Sequence, residues 1–224
     1  MIQHVLVNNG AHSATFAFRE NTNDRHVISA LFESDEYGLF GVGPGDVVLD
    51  IGAHIGGATV RVATQGATVY AYEVLSANVE LLRENAAPYP NAHVFHEAVM
   101  GHDGSAWAYA APYDPWHRWI GAMHYGTDEK EWVPCVSLDT IFKRNNIEEC
   151  AVLKIDVEGS EYEILREAST DTLMRINRIV GEYHGVPGGP QEPFAALVGY
   201  MRGLFTVKSH DGIAAFDFVR AGGA

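Results

Sequence analysis

From residue 46 onward, short β-branched runs alternate with amphipathic stretches, and this alternation constrains the fold more than any other feature. Apolar runs separated by helices demand parallel pairing, because the intervening helix must carry the chain back before the next strand starts. Residues 46–52 (DVVLDIG) read as the first strand, 56–65 as a helix and 67–73 (ATVYAYE) as the second strand. Residues 76–87 read as a helix with Ser76 as N-cap and Val79, Leu82 and Ala86 at helical spacing, stopped by Pro88 and Pro90. A third strand at 92–99, a Ser137-capped helix at 137–145, a fourth strand at 151–159 and a helix at 160–169 follow. A fifth strand at 177–184, a Gly/Pro loop at 185–190 and a helix at 191–204 lead to two closing strands joined at His210-Asp211-Gly212 as an antiparallel edge. The expected fold is α/β and Rossmann-like, a seven-stranded, mostly parallel sheet with one antiparallel strand and helices on both faces.

The first 45 residues read as an N-terminal cap of the same domain, with a helix at 26–34, and residues 46–224 as the main domain. Residues 101–136, dense in Gly, Pro and aromatics, read as a hairpin-and-loop insertion. A chain of 224 residues supports one such domain. Its net charge of −14 repels phosphate backbones, so no nucleic-acid partner is expected. No stretch reaches membrane-spanning length, and the start, MIQHVLVNNGAHS, carries no secretory pattern. Cys135 and Cys150 form neither a CxxC nor a zinc pattern, which suits reduced thiols in a cytoplasmic protein.

In sheets of this kind, ligands bind at the carboxyl ends of the strands. There the first strand runs into Asp50-Ile-Gly52-Ala-His54-Ile-Gly56-Gly57. A dinucleotide loop needs G-x-G-x-x-G, and counting from Gly52 its middle glycine falls on His54, whose side chain obstructs a diphosphate. The spacing D-x-G-x-x-x-G suits instead a ligand without phosphate whose amino-acid end carries an ammonium, which Asp50 attracts directly or through water. Glu73 ends the second strand, about twenty residues on, where an acid hydrogen-bonds both ribose hydroxyls. Asp50, Gly52 and Glu73 together describe a nucleoside joined to a cationic amino acid, which is S-adenosylmethionine (SAM). A glycine kept only for packing leaves two acids at consecutive strand ends unexplained. An NAD-dependent oxidoreductase on the same fold is the competing enzyme, and the missing middle glycine counts against it. A noncatalytic SAM-binding protein is a third reading.

The segments VVLDIGAHIG, YEVLSANVELLRENA, VSLDTIF and above all LKIDVEGSEYEIL resemble the FkbM family of SAM-dependent methyltransferases, over roughly residues 27 to 184. The resemblance implies the class I methyltransferase fold and O-methylation of a hydroxyl on a small molecule, such as a natural product or sugar. It implies that Glu73 holds the ribose and that Glu97 and Ala98 lie near the adenine. The family's motif-one asparagine is His54 here, which bears on contacts to the methionine carboxylate. Asn78 fits the family's E-P-x-P-x-N-like stretch loosely, because this chain reads Glu-Val-Leu-Ser-Ala-Asn. The expected cofactor set is thus Asp50, Gly52, His54, Gly56, Glu73, Asn78, Glu97, Ala98 and Asp156.

Methyl transfer from a sulfonium is an in-line displacement, so the enzyme mainly aligns donor and acceptor. A hydroxyl acceptor also needs its proton taken. The candidates sit at the ends of strands four and five: Asp156 at the methyl-transfer centre, with Glu182 and His184 beside it. His184, with an ordinary pKa near neutrality, is the candidate base; His117 and His124 are reserves. Glu158 and Glu161 suit the N-terminus of the helix that follows. Asp156, Glu182 and His184 also form a ligand set for a divalent ion such as Mg²⁺. The aromatic insertion (Trp107, Tyr113, Trp116, Trp119, Tyr125 and Trp132) suits a cover for the acceptor pocket and equally a lid or homodimer contact. An amine acceptor, hence N-methylation, is the nearest alternative.

Overall fold

The chain opens with an antiparallel hairpin, Ile2–Asn8 (β1) and Ser13–Arg19 (β2), then a short helix, Asp24–Ile28 (α1), and a π-helical turn, Ser29–Glu33. The computed structural model describes residues 1–110, 118–120, 130–184, 194–209 and 215–220. Next come Val47–Ile51 (β3), Gly57–Thr64 (α2), Thr68–Glu73 (β4), Ser76–Ala86 (α3) and Ala92–His96 (β5). Ala98–Val99 (β6), Gly104–Ala110 (β7), Arg118–Ile120 (β8) and Lys130–Val136 (β9) precede Leu138–Arg144 (α4) and Cys150–Ile155 (β10). Glu161–Glu167 (α5), Thr170–Met174 (α6), Ile176–Glu182 (β11), Phe194–Met201 (α7), Phe205–Ser209 (β12) and Ala215–Arg220 (β13) complete the chain.

The main sheet has the order β12-β13-β11-β10-β3-β4-β5. The pairs joining β11, β10, β3, β4 and β5 are parallel, and β13 alone runs against its neighbours. Alternation along each buried strand sorts its side chains to two faces. Leu49, Ile51, Leu153, Ile155 and Ile179 pack with Ile141, Phe142, Ile164, Leu165 and Leu197 of α4, α5 and α7. Val48, Val69, Val152 and Val180 pack with Ala58, Val62 and Ala63 of α2. This is the expected seven-stranded architecture with helices on both faces. The hairpin is seated against the domain by Val7, Phe16 and Ala17, which join Ile28, Phe32, Ile55, Val60 and Leu81 in one buried cluster.

Three local details depart from the expected pattern. Helix α3 has Leu75, not Ser76, at its N-cap. The third strand divides at Glu97: β5 stays in the main sheet, while β6 leaves it to pair with β9 in a second sheet of order β6-β9-β7-β8. Glu97 is drawn aside by Arg144 at the end of α4, at 2.6 and 2.9 Å. Finally, the closing hairpin does not simply add an antiparallel edge, because β13 inserts between β11 and β12. The inner place goes to the strand whose Phe216, Asp217 and Phe218 are all buried. The turn expected at 210–212 lies outside the described residues.

Candidate active site

The loop after β3 turns through left-handed backbone at Gly52 (φ 77°), His54 (φ 51°) and Gly56 (φ 98°). A side chain at Gly52 would place its Cβ 1.8 Å from the carbonyl oxygen of Asp156, so this glycine lets the tips of β3 and β10 touch. At Gly56 a Cβ would stand 2.8 Å from Leu82 of α3, which packs the helix behind the loop.

Between these tips lies an open cleft, lined by Ile51, Gly52, His54, Tyr72, Glu73, Val74, Asn78, Glu97, Ala98, Val99, Asp156, Val157 and Glu158. Seven of the nine residues expected around the cofactor therefore share one wall. Apolar Ile51, Val74, Ala98 and Val99 suit a nucleobase, and carboxylates flank both ends. Gly56 is not on the wall; it shapes the loop from behind.

Asp50 is also off the wall. It is buried, accepts the Thr59 hydroxyl at 2.6 Å, and its Oδ1 lies 3.3 Å from Lys154 Nζ. Lys154 donates to the carbonyl of Gly52 at 2.6 Å, so it ties the glycine loop to β10. Burial opposes its charge, but Asp50 and Asp156 outweigh burial and raise its pKa. Asp50 is thus already paired with an internal ammonium, and the carboxylates facing the cleft are Glu73, Glu97, Asp156 and Glu158.

Glu73 ends β4 almost fully buried. Its Oε1 accepts the backbone N–H of Val74 at 3.0 Å and of Leu75 at 2.8 Å, and lies 3.5 Å from Asn78 Nδ2. Its Oε2 accepts the N–H of His54 at 2.8 Å. Burial pushes this carboxyl above its usual range, while the donors from Leu75, His54 and Asn78 pull against that push. A carboxylate has about four lone-pair sites, so Oε2 keeps capacity for a further donor from the cleft.

At the other end of the cleft, Asp156 accepts the Tyr37 hydroxyl at 3.0 Å and faces a histidine ringed by acids. His184 Nδ1 lies 2.9 Å from Glu161 Oε1, and Nε2 lies 3.4 Å from Glu182, 3.9 Å from Glu158 and 4.0 Å from Asp156. Burial of the ring opposes its charge, but the hydrogen bonds to Glu161 and Glu182 prevail and raise its pKa to about 11. With its pKa raised so far the imidazole holds its proton at neutral pH, unlike the ring near neutrality that the sequence led us to expect. Glu161 takes the N–H groups of Val157 and Gly159, as its place in the first turn of α5 suggests, whereas Glu158 turns toward the cleft. Glu36 joins the same region: burial, then the charges of Glu182 and Asp156, raise its carboxyl.

Sequence reasoning missed Lys154, Tyr37 and Arg19. A lysine in the middle of the buried run AVLKI was a readable signal. Tyr37 and Arg19 lie in a loop and a hairpin with no motif to mark them. Trp107 and Trp132 stack edge-to-face at 5.0 Å on the exposed side of the second sheet and do not line the cleft. His117, His124 and most of the aromatic insertion lie outside the described residues. Among the described residues, no helix is long and apolar enough to cross a membrane.

A parallel sheet with β13 reversed and a glycine turn, an acid and a second acid at three successive strand tips define the class I SAM-dependent methyltransferases. Residues 50–212 match the model of the methyltransferase FkbM domain, and the chain belongs to that family. The 31-O-demethyl-FK506 methyltransferase FkbM of Streptomyces tacrolimicus is 26% identical over 232 residues, covering 90% of this chain and 85% of its own. A T. thermophilus 16S rRNA methyltransferase, RsmC, solved with AdoMet and guanosine, superposes with a TM-score of 0.51 at 14% identity, over 98% of this chain and 51% of its own. A Streptococcus mutans chain described as a methyltransferase and solved with SAH gives 0.51 at 13% identity, over 84% and 96%. The protein is a SAM-dependent methyltransferase.

Proposed function

We propose that this enzyme methylates a hydroxyl on a small molecule, of the natural-product or sugar class. The observation that carries the reading is the double position of Asp156, on the wall of the cofactor cleft and on the rim of the acidic cluster. When bound, SAM supplies a methyl group made electrophilic by its sulfonium. Glu73 would hold the ribose, the apolar wall with Ala98 the adenine beside Glu97, and the Gly52–Gly56 loop with His54 and Asn78 the amino-acid end. Asp156 Oδ1, the oxygen not engaged by Tyr37, would take the acceptor's hydroxyl proton and aim its lone pair. Glu182 and His184 would flank it, with His184 as a cation set among the carboxylates.

The same charges bear on the substrate class. Asp156, Glu158 and Glu182 gather at the mouth around His184, with Glu161 buried beneath the ring, and the buried Lys154 is matched by Asp50. A phosphate backbone is repelled from such a mouth, so an RNA acceptor is disfavoured although fold relatives act on rRNA. The name of the S. tacrolimicus relative, a 31-O-demethyl-FK506 methyltransferase, supports an oxygen acceptor. The test is methyl transfer from labelled SAM to a panel of polyol, amine and RNA acceptors. Label on hydroxyl oxygen of a small acceptor is the expected result; label on RNA alone, or on nitrogen alone, overturns it.

A second reading gives the mouth a divalent cation such as Mg²⁺, held by Asp156, Glu182 and His184, with the ion taking the place of the proton on His184 Nε2. It is supported by convergence: Glu182 and Asp156 approach His184 Nε2 to 3.4 and 4.0 Å, and Asp156, Glu161 and His184 each offer an atom within 4.8 Å of the others. Glu161, bonded to Nδ1, would orient the ring toward the ion, as metal-binding histidines require. Chelator-treated enzyme should gain thermal stability on adding Mg²⁺ or Mn²⁺; an unchanged melting temperature with both removes this reading.

A further inference from the structure

The hairpin β1–β2 precedes the family-matched residues 50–212, yet one of its side chains reaches the cleft wall. Arg19 lies buried at the end of β2. Its Nε and Nη2 both donate to Asp24, each at 2.9 Å, which ties the hairpin to α1. That pairing alone is an ordinary structural clamp. But Nη2 also donates to Asn78 Oδ1 at 2.7 Å, and it lies 3.4 Å from His54 Nε2. Asn78 and His54 sit on different elements, α3 and the loop after β3, and both line the cleft.

These two residues have a common target. With its oxygen taken by the guanidinium, the Asn78 amide must turn its nitrogen toward Glu73 Oε1, 3.5 Å away; the flipped amide would set N–H against N–H. The His54 ring is held between Arg19 and Asp24 Oδ1, at 3.5 Å from the latter, and its backbone N–H donates to Glu73 Oε2 at 2.8 Å. One guanidinium thus governs a donor to each oxygen of the same carboxylate. Its planar fork is rigid, so the arrangement loses little side-chain freedom when it forms.

We infer that Arg19 is a positioning residue of the cofactor site, setting the Glu73 carboxylate for the ribose hydroxyls through Asn78 and His54. The inference rests on the reading of Glu73 as the ribose-binding acid. It makes the N-terminal hairpin a working part of the site.

The test compares binding of S-adenosylhomocysteine (SAH) and its 2′,3′-dideoxy analogue by calorimetry, on the full chain. A hydrogen bond to a charged group contributes on the order of 1.5–3 kcal/mol, so wild type should bind the analogue at least about tenfold more weakly. In Arg19→Gln/Asp24→Asn, which removes both buried charges together, that ratio should fall to about threefold or less, because the carboxylate is no longer aimed. A clamp that only held the hairpin would change both affinities alike and keep the ratio. A folded double variant with the wild-type ratio overturns the inference. If that variant does not fold, Asn78→Leu cuts the route and leaves the Arg19–Asp24 pair intact; an undiminished ratio there overturns it equally. Should wild type itself bind both ligands alike, the reading of Glu73 fails first, and the inference with it.

Discussion

Lys154 and Asp50 face each other across adjacent parallel strands, paired in register between β10 and β3, with Nζ 3.3 Å from Oδ1 and both side chains buried. The pair decides what the first acid of the motif does. Buried charges are weakly screened and must be matched internally, so Asp50 serves the lysine. Lys154 in turn holds the Gly52 carbonyl at 2.6 Å and lies 4.0 Å from Asp156. One ammonium therefore holds the glycine loop and stands near the acid at the tip of β10.

Lys154→Met should leave Asp50 as an unmatched buried charge. The expected cost is about 3–5 kcal/mol, seen as a lower denaturant midpoint. Lys154→Met/Asp50→Asn should recover much of that loss. Equal midpoints for wild type and the single variant would show that the pair contributes nothing.

Asp156→Asn keeps the shape of the side chain and removes its charge. Turnover should fall about 10²–10⁴-fold, the range for losing a positioned proton acceptor, while SAH affinity changes less than about tenfold. Steady-state kinetics beside calorimetry separates the two, and unchanged turnover removes Asp156 from the proton transfer. Tyr37→Phe deletes only the donor to Asp156. Burial, followed by the charges of Asp156 and Glu182, raises the Tyr37 pKa, so the phenol stays neutral and is a pure donor. Its loss should cost about 1–3 kcal/mol of stability or transition-state binding, read from the same two assays.

Glu73→Gln should weaken SAM and SAH by about ten- to a hundredfold, since hydrogen bonds to a charged acceptor contribute on the order of 1.5–3 kcal/mol. At saturating cofactor, turnover should stay near wild type if Glu73 holds the ribose as proposed. A fall in turnover with unchanged affinity would place Glu73 at the reacting atoms instead.

Asp24 supplies the pH dependence. Burial works to raise its pKa, but hydrogen bonds from the Arg19 side chain and backbone overcome burial and lower it. A carboxyl whose folded pKa is depressed stabilises the fold above its unfolded value, near 3.9, and loses that contribution as pH falls through the folded value. The stability gap between wild type and Asp24→Asn should therefore be full and flat above about pH 5 and close progressively below pH 4. Urea midpoints from pH 7 down to pH 2 measure it. A gap of constant size across that range would mean that ionisation of Asp24 does not stabilise the fold.

Much of this molecule was legible in one dimension. Strand and helix periods, the Gly52 and Gly56 spacing, Glu73 at the end of β4 and LKIDVEGSE at the end of β10 are local patterns. Local patterns determine local structure and, through the handedness of parallel crossovers, the order of a sheet. They led to the class of fold and to SAM, and seven of the nine expected cofactor residues meet on one cleft wall.

Charge was not legible in the same way. A pKa depends on what stands opposite in space, and the sequence does not say that four acids from the turn after β10, from α5 and from β11 surround His184, or that Lys154 has claimed Asp50. Nor does a hydrophobic period distinguish the inner from the outer strand of the final hairpin, because both are apolar; packing of Phe216 and Phe218 decided that. Chain connectivity wrote the fold and the positions of the acids. Only the tertiary structure, by bringing together groups more than a hundred residues apart such as Tyr37 and Asp156, decided which of them are already paired and which face the cleft.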